Sequence, residues 1–210
     1  MFRFLAFIGL MLTGAWLAVA LKSKSISLAA TGEKLRQAGQ NIVVSIGNFS
    51  SLSSVEFSNK LLFPLTLFCV IIMALTGFIP IIFFGTRMSG YILMLHVATS
   101  PLFALCIALA GILWAHKHRF ELADWQVFRA LFSRNADVNI TKTEKNQFWN
   151  KVCFWGVITL AVFAISSIVA SMYKIFGTHG QELLLQFHRY STLGLIILIT
   201  IYTFLVKVEK

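Results

Sequence analysis

Four long stretches of the chain, residues 4–21, 61–86, 88–115 and 152–173, contain no Asp, Glu, Lys or Arg. A fifth, 190–206, is also uncharged and reaches back to Leu183 if Arg189 is accepted near its edge. A helix that spans a bilayer needs about 20 apolar residues at about 1.5 Å rise each. The pattern therefore predicts five membrane helices and an all-α protein.

The polar segments between these runs set the organisation. Residues 22–59 form a connector rich in Ser, Gly and Asn, and its part "TGEKLRQAGQNIVVSI" reads as a short amphipathic helix on the membrane surface. A tight turn, "GTRMSG", joins the second and third runs. The segment 116–151 mixes charge with Trp125, Phe128, Phe132 and Phe148. Within it "DWQVFRALF" predicts an interfacial helix, its aromatics anchoring and Arg129 reaching the head groups. The chain thus divides into an N-terminal helix (1–21), the connector (22–59) and a four-helix membrane domain (60–210). It has no internal repeat.

Composition agrees with the pattern. The 210 residues are 58% hydrophobic and only 12% charged, against about 25% charged in soluble domains. The net charge of +10 does not point to nucleic acid, because basic residues gather in loops that stay in the cytoplasm. With alternating topology, one side receives Lys22, Lys24, Lys34, Arg36, Lys60, Lys117, Arg119, Arg129, Arg134, Lys142, Lys145, Lys151, Lys207 and Lys210. The other receives Arg3, Arg87, Lys174 and Arg189. This asymmetry puts the long loops and the C-terminus inside, and the turns at 87–90 and 174–182 outside. Residues 1–21 also have the build of a signal peptide, but the basic segment after them favours a retained helix.

Cys69, Cys106 and Cys153 all fall within apolar runs and form no CxxC or CxxCH motif, so covalent c-type haem is not indicated. They read as small core residues. Of the five histidines, His96 and His116 are 20 residues apart, about 30 Å along a helix, and cannot share a metal. His116 and His118, two apart, point to different faces of a helix. His188 is the natural partner of His96. The third and fifth runs begin on the same side; His96 lies nine residues past Arg87 and His188 six past Glu182. Two imidazoles at one depth on different helices can hold a haem iron from opposite faces. Ionisable groups within a membrane usually mark function, although a lone His can also be a hydrogen-bonded core residue. Ser100 and Thr192, one turn from each, are small enough to leave room for a macrocycle. Arg87 and Arg189 suit haem propionates, or they simply snorkel to the interface.

Residues 60–206 resemble the four-helix cytochrome b (gamma) subunit of respiratory formate dehydrogenases, and the related b-type cytochromes of hydrogenases and thiosulfate reductases. The resemblance lies in the order and spacing of "ALTGF", "GYILMLH", "WAHKH", "NKVCFWGVI" and "LLLQFHRYSTLGLIILITIY". It implies a bacterial inner-membrane haem protein with an outer haem on His96 and His188. It also implies an iron–sulfur or other redox partner on the outer face and a quinone as electron partner. In the family an inner haem is held by a His at the start of the first bundle helix and another fourteen residues after the outer ligand. Here Phe63 and Tyr202 stand at those positions, so one haem b is expected, on the outer side. The family's quinone site, near the inner haem, would involve Gln147, Asn150 and Tyr202. Without the inner haem, either quinone binds near the outer haem or His116 or His118 recruits a second cofactor with a partner's help.

The resemblance thus implies an electron-transfer membrane anchor, with substrate catalysis left to partner subunits. A cofactor-free membrane scaffold or assembly subunit stands beside it as the alternative. Proton or cation transport is disfavoured by the near absence of acidic residues within the runs.

Overall fold

A computed structural model describes residues 2–23, 54–132 and 141–208. Most of the described residues are helical, and there is no strand among them. They form α1 (Phe2–Ser23), α2 (Ser54–Ile79), α3 (Gly90–Trp114), α4 (Leu122–Phe132), α5 (Lys142–Met172) and α6 (Gly177–Val208), with a π-helical turn at Pro80–Phe84 and a 3-10 turn at Lys174–Phe176. Four stretches are long and apolar enough to cross a membrane: Leu61–Phe84, Gly90–Trp114, Lys142–Met172 and Gly177–Thr203. The N-terminal helix adds a shorter apolar segment, Phe2–Trp16. The surface helix expected within residues 22–59 lies outside the described residues.

The described residues divide into two compact units that meet in the chain after Ala110. In the first, Leu62 and Cys69 of α2 are buried seven residues apart, and the half-buried Thr76 follows at the same spacing. On α3, Phe103, Cys106, Ile107 and Ala110 are buried at helical spacing. The end of α2 is closed by a specific device. Pro80, which has no N–H, starts the π turn, and the N–H of Gly85 returns to the Pro80 carbonyl. Gly85 is left-handed, at φ 68°. The Arg3 guanidinium lies 2.8 Å from where a Cβ would stand and donates to the Ile82 carbonyl at 2.9 Å. The positive φ favours glycine there, and a side chain would also push the Arg3 guanidinium aside. Arg3 and Arg87 therefore lie at one end of this unit.

In the second unit, α5 opens with a capping box: Thr141 Oγ1 accepts from the Glu144 N–H, and the Glu144 carboxylate accepts from the Thr141 N–H. The helix therefore starts ten residues before the uncharged run does. The antiparallel packing of α5 on α6 has a fixed register. Leu198 sits over Gly156 and Leu160 over Gly194, with a Leu Cδ1 2.9 and 3.2 Å from the respective glycine Cβ positions. Leucine seated on glycine lets two membrane helices approach closely, where lipid offers no hydrophobic drive to associate. The turn expected over 174–182 is shorter than that, because α6 begins at Gly177, whose φ is 62°. The expected helix at "DWQVFRALF" is present as α4. Its buried Asp124 pairs with Lys151 of α5 at 2.7 Å, while Leu122, Trp125 and Phe128 remain exposed.

Candidate functional site

His96 is half-buried, six residues into α3, and its Nδ1 lies 2.9 Å from Thr76 Oγ1 on α2. The threonine hydroxyl donates to the Ile72 carbonyl one turn back, at 2.7 Å. With its single proton so used, Oγ1 accepts from His96, which puts the imidazole proton on Nδ1 and the lone pair on Nε2. Gly77 completes the cradle: a Cβ there would stand 3.4 Å from His96 Cε1. Ser100 Oγ donates to the His96 carbonyl at 2.8 Å.

His188, half-buried on α6, has the same tautomer by a different route. Its Nδ1 lies 2.9 Å from the Ala164 carbonyl of α5. A carbonyl only accepts, so Nδ1 carries the proton and Nε2 the lone pair. Thr192 donates back to the His188 carbonyl at 2.9 Å. Because α6 starts five residues before Glu182, His188 stands eleven residues into its helix, about 16 Å along the axis. Counted from Glu182, it stands six in. Each histidine belongs to its own unit. In both rings Nδ1 is fixed by a hydrogen bond to an oxygen on the neighbouring helix, the kind of bond that also orients metal-bound imidazoles.

The structure brings together two residues that the sequence placed in separate roles. α3 ends at Trp114, so His116 and His118 follow in a turn rather than on a helix. His116 is exposed and His118 is buried. His118 Nδ1 donates to the Trp114 carbonyl at 3.0 Å, and Tyr202 Oη donates to His118 Nε2 at 3.3 Å. Phe154 stacks on the imidazole with centroids 4.1 Å apart, and Trp155 Nε1 donates to the His118 carbonyl at 3.0 Å. Burial holds the His118 pKa below the usual histidine value. The Trp114 hydrogen bond partly opposes this, and Lys117 and Lys151 add to it. Tyr202 thus engages the ring nitrogen of His118 that a second cofactor would need.

The remaining candidates are spread out. Arg87 is exposed in the 85–89 turn and Arg189 is half-buried on α6. Gln147 is exposed and Asn150 half-buried near the start of α5, and His179 is exposed in the first turn of α6. Among the described residues no group of three or more His, Cys, Asp or Glu is placed to hold a metal ion. Thr76 and Gly77 were within reach of the sequence, since both lie in "ALTGF". The Ala164 carbonyl was not, because any residue carries one.

No family model, curated protein or solved structure matches the chain.

Proposed function

We propose that the chain is the membrane-anchor cytochrome b subunit of a respiratory oxidoreductase, with one haem b that His96 and His188 would hold. It would carry electrons between a redox partner, an iron–sulfur subunit or similar, on the outer face and the quinone pool. The observation that carries this reading is the shared tautomer of the two imidazoles. Each has its Nδ1 proton committed, one to a threonine hydroxyl and one to a backbone carbonyl, which makes Nε2 the unprotonated ring nitrogen of both.

Bound haem would supply reversible one-electron chemistry. The chain's own residues orient the two rings, Thr76 holding His96 and the Ala164 carbonyl holding His188. Arg87 and Arg189 are the cations suited to the propionates. Tyr202, hydrogen-bonded to His118, stands where the resembled family has an inner ligand, which supports one haem rather than two. Quinone contacts fall to Gln147, Asn150 and Tyr202 in this reading. The location proposed is the bacterial cytoplasmic membrane, with the long loops and C-terminus inside, on the strength of the basic-residue asymmetry. A pyridine haemochrome spectrum of the purified chain tests the proposal: one haem b per chain supports it, and none in a preparation that retains its partners favours a cofactor-free scaffold.

A further inference from the structure

A groove of about 770 Å3 lies between the end of α3 and the start of α4, lined by His116, Arg119, Phe120, Glu121, Leu122 and Trp125 among others. Its walls are held by the backbone. The turn before it is pinned by the buried His118, and the turn within it by Asp124, whose carboxylate accepts from the Glu121 N–H at 2.7 Å. The Asp124 N–H returns to the Glu121 carbonyl at 3.0 Å. Arg119 and Glu121 are thereby fixed two residues apart at the rim, both exposed. Neither side chain holds a hydrogen bond or ion pair among the described residues, whereas the neighbouring acid, Asp124, is committed to Lys151.

The surroundings belong to a membrane interface. The groove begins where a membrane-length helix ends. Leu122 is 87% and Trp125 51% exposed, an apolar outer face on a helix otherwise tied down by Asp124. Arg129 lies over the Trp125 ring at 5.3 Å. Aromatic side chains so placed sit at the level of lipid head groups.

We infer that this groove binds the phosphoethanolamine head group of a membrane phospholipid. That head group carries one phosphate anion and one primary ammonium, and the groove offers one guanidinium and one carboxylate. Arg119 takes the phosphate, for which its planar donor fork is suited. His116 adds a ring N–H donor. Glu121 takes the ammonium, and Phe120, Leu122 and Trp125 cover the glycerol and upper acyl chain. Phosphocholine matches less well, because its quaternary nitrogen has no N–H to donate. Phosphoglycerol matches less well because it brings no cation to Glu121.

The test uses the purified full chain in detergent, stripped of lipid and offered equal amounts of phosphatidylethanolamine, phosphatidylcholine and phosphatidylglycerol with the same acyl chains. Native mass spectrometry counts what is retained. The expected preference for phosphatidylethanolamine over phosphatidylcholine is about fivefold, the scale of one exposed charged pair. Glu121→Gln abolishes that preference and increases phosphatidylglycerol binding. Arg119→Gln weakens all three, and Arg119→Lys restores part of the binding, which separates loss of the contact from loss of the fold. Equal retention of the ethanolamine and choline lipids overturns the inference, as does a preference that survives Glu121→Gln. A dominant phosphatidylglycerol preference indifferent to Glu121 also overturns it, in favour of a general anionic-lipid surface.

Discussion

The His188 ring donates from Nδ1 to the Ala164 carbonyl across the α5–α6 interface, at 2.9 Å. That bond is a product of helix register. Leu160 on Gly194 and Leu198 on Gly156 set how α6 lies along α5, and the carbonyl one turn beyond Leu160 then meets the imidazole. The glycines that set this register stand about two helical turns from the bond, Gly194 six residues from His188 and Gly156 eight from Ala164. On the other unit Thr76 does for His96 with a side chain what Ala164 does with its backbone.

Thr76→Val removes the oxygen that orients His96 while keeping its shape. Loss of such a partner typically costs 10–100-fold in metal affinity. Haem titration of the apoprotein is expected to show about a tenfold weaker association, and Thr76→Ser is expected to restore it. Unchanged affinity in Thr76→Val would remove Thr76 from the site.

Gly77 touches the His96 ring at ordinary contact distance, 3.4 Å for an added Cβ. Gly77→Ala is therefore expected to be tolerated. Gly77→Val, with two further methyls, is expected to displace the ring and lower the haem absorbance of the purified chain by at least half. Size-exclusion elution should stay unchanged.

Tyr202→Phe leaves His118 Nε2 buried without its donor. An unsatisfied buried acceptor costs about 1–3 kcal/mol, to be read from denaturant unfolding in detergent. The same ring gives a pH dependence. Burial depresses the folded pKa of His118 below the ordinary histidine value of about 6.5. The neutral ring's contribution is then complete above about pH 6.5 and declines as pH falls through that value towards the lower folded pKa. His118→Gln is expected to flatten the decline between pH 7 and 5. An equally steep curve would assign the decline to other groups.

Asp124 and Lys151 keep only 10% and 18% side-chain exposure in their ion pair. Breaking one partner of a largely buried pair costs several kcal/mol. Asp124→Leu is expected to destabilise by about 3 kcal/mol, the low end for such pairs because both groups retain some solvent. Adding Lys151→Met should recover most of the loss, since the pair is then replaced by apolar contact. A denaturation series across the two single variants and the double variant reads the coupling.

Much of the helical layout was legible, because absence of charge over membrane length admits few structures other than a helix. The uncharged runs mark the cores of α2, α3, α5 and α6, and "DWQVFRALF" marks α4. The ends were harder. α5 starts at Lys142 because a Thr141–Glu144 capping box nucleates it well outside the apolar stretch, and α6 starts at Gly177 because the turn before it needs only three residues in a 3-10 geometry. The candidate ligands His96 and His188 stood out as ionisable groups in apolar runs. Their partners did not, apart from Thr76 in a quoted motif. The His118–Tyr202 contact, 84 positions apart in sequence, depends on α3 ending at Trp114, and nothing in the apolar run that continues to Ala115 signals that end.

The central claim is that His96 and His188 together hold one haem b, and the most direct test is a pyridine haemochrome measurement on the purified chain beside His96→Ala and His188→Ala. The account predicts one haem b per chain, lost in both variants, with elution and helical content preserved. A haem content that survives either substitution, or no haem in a chain purified with its partners, would contradict it.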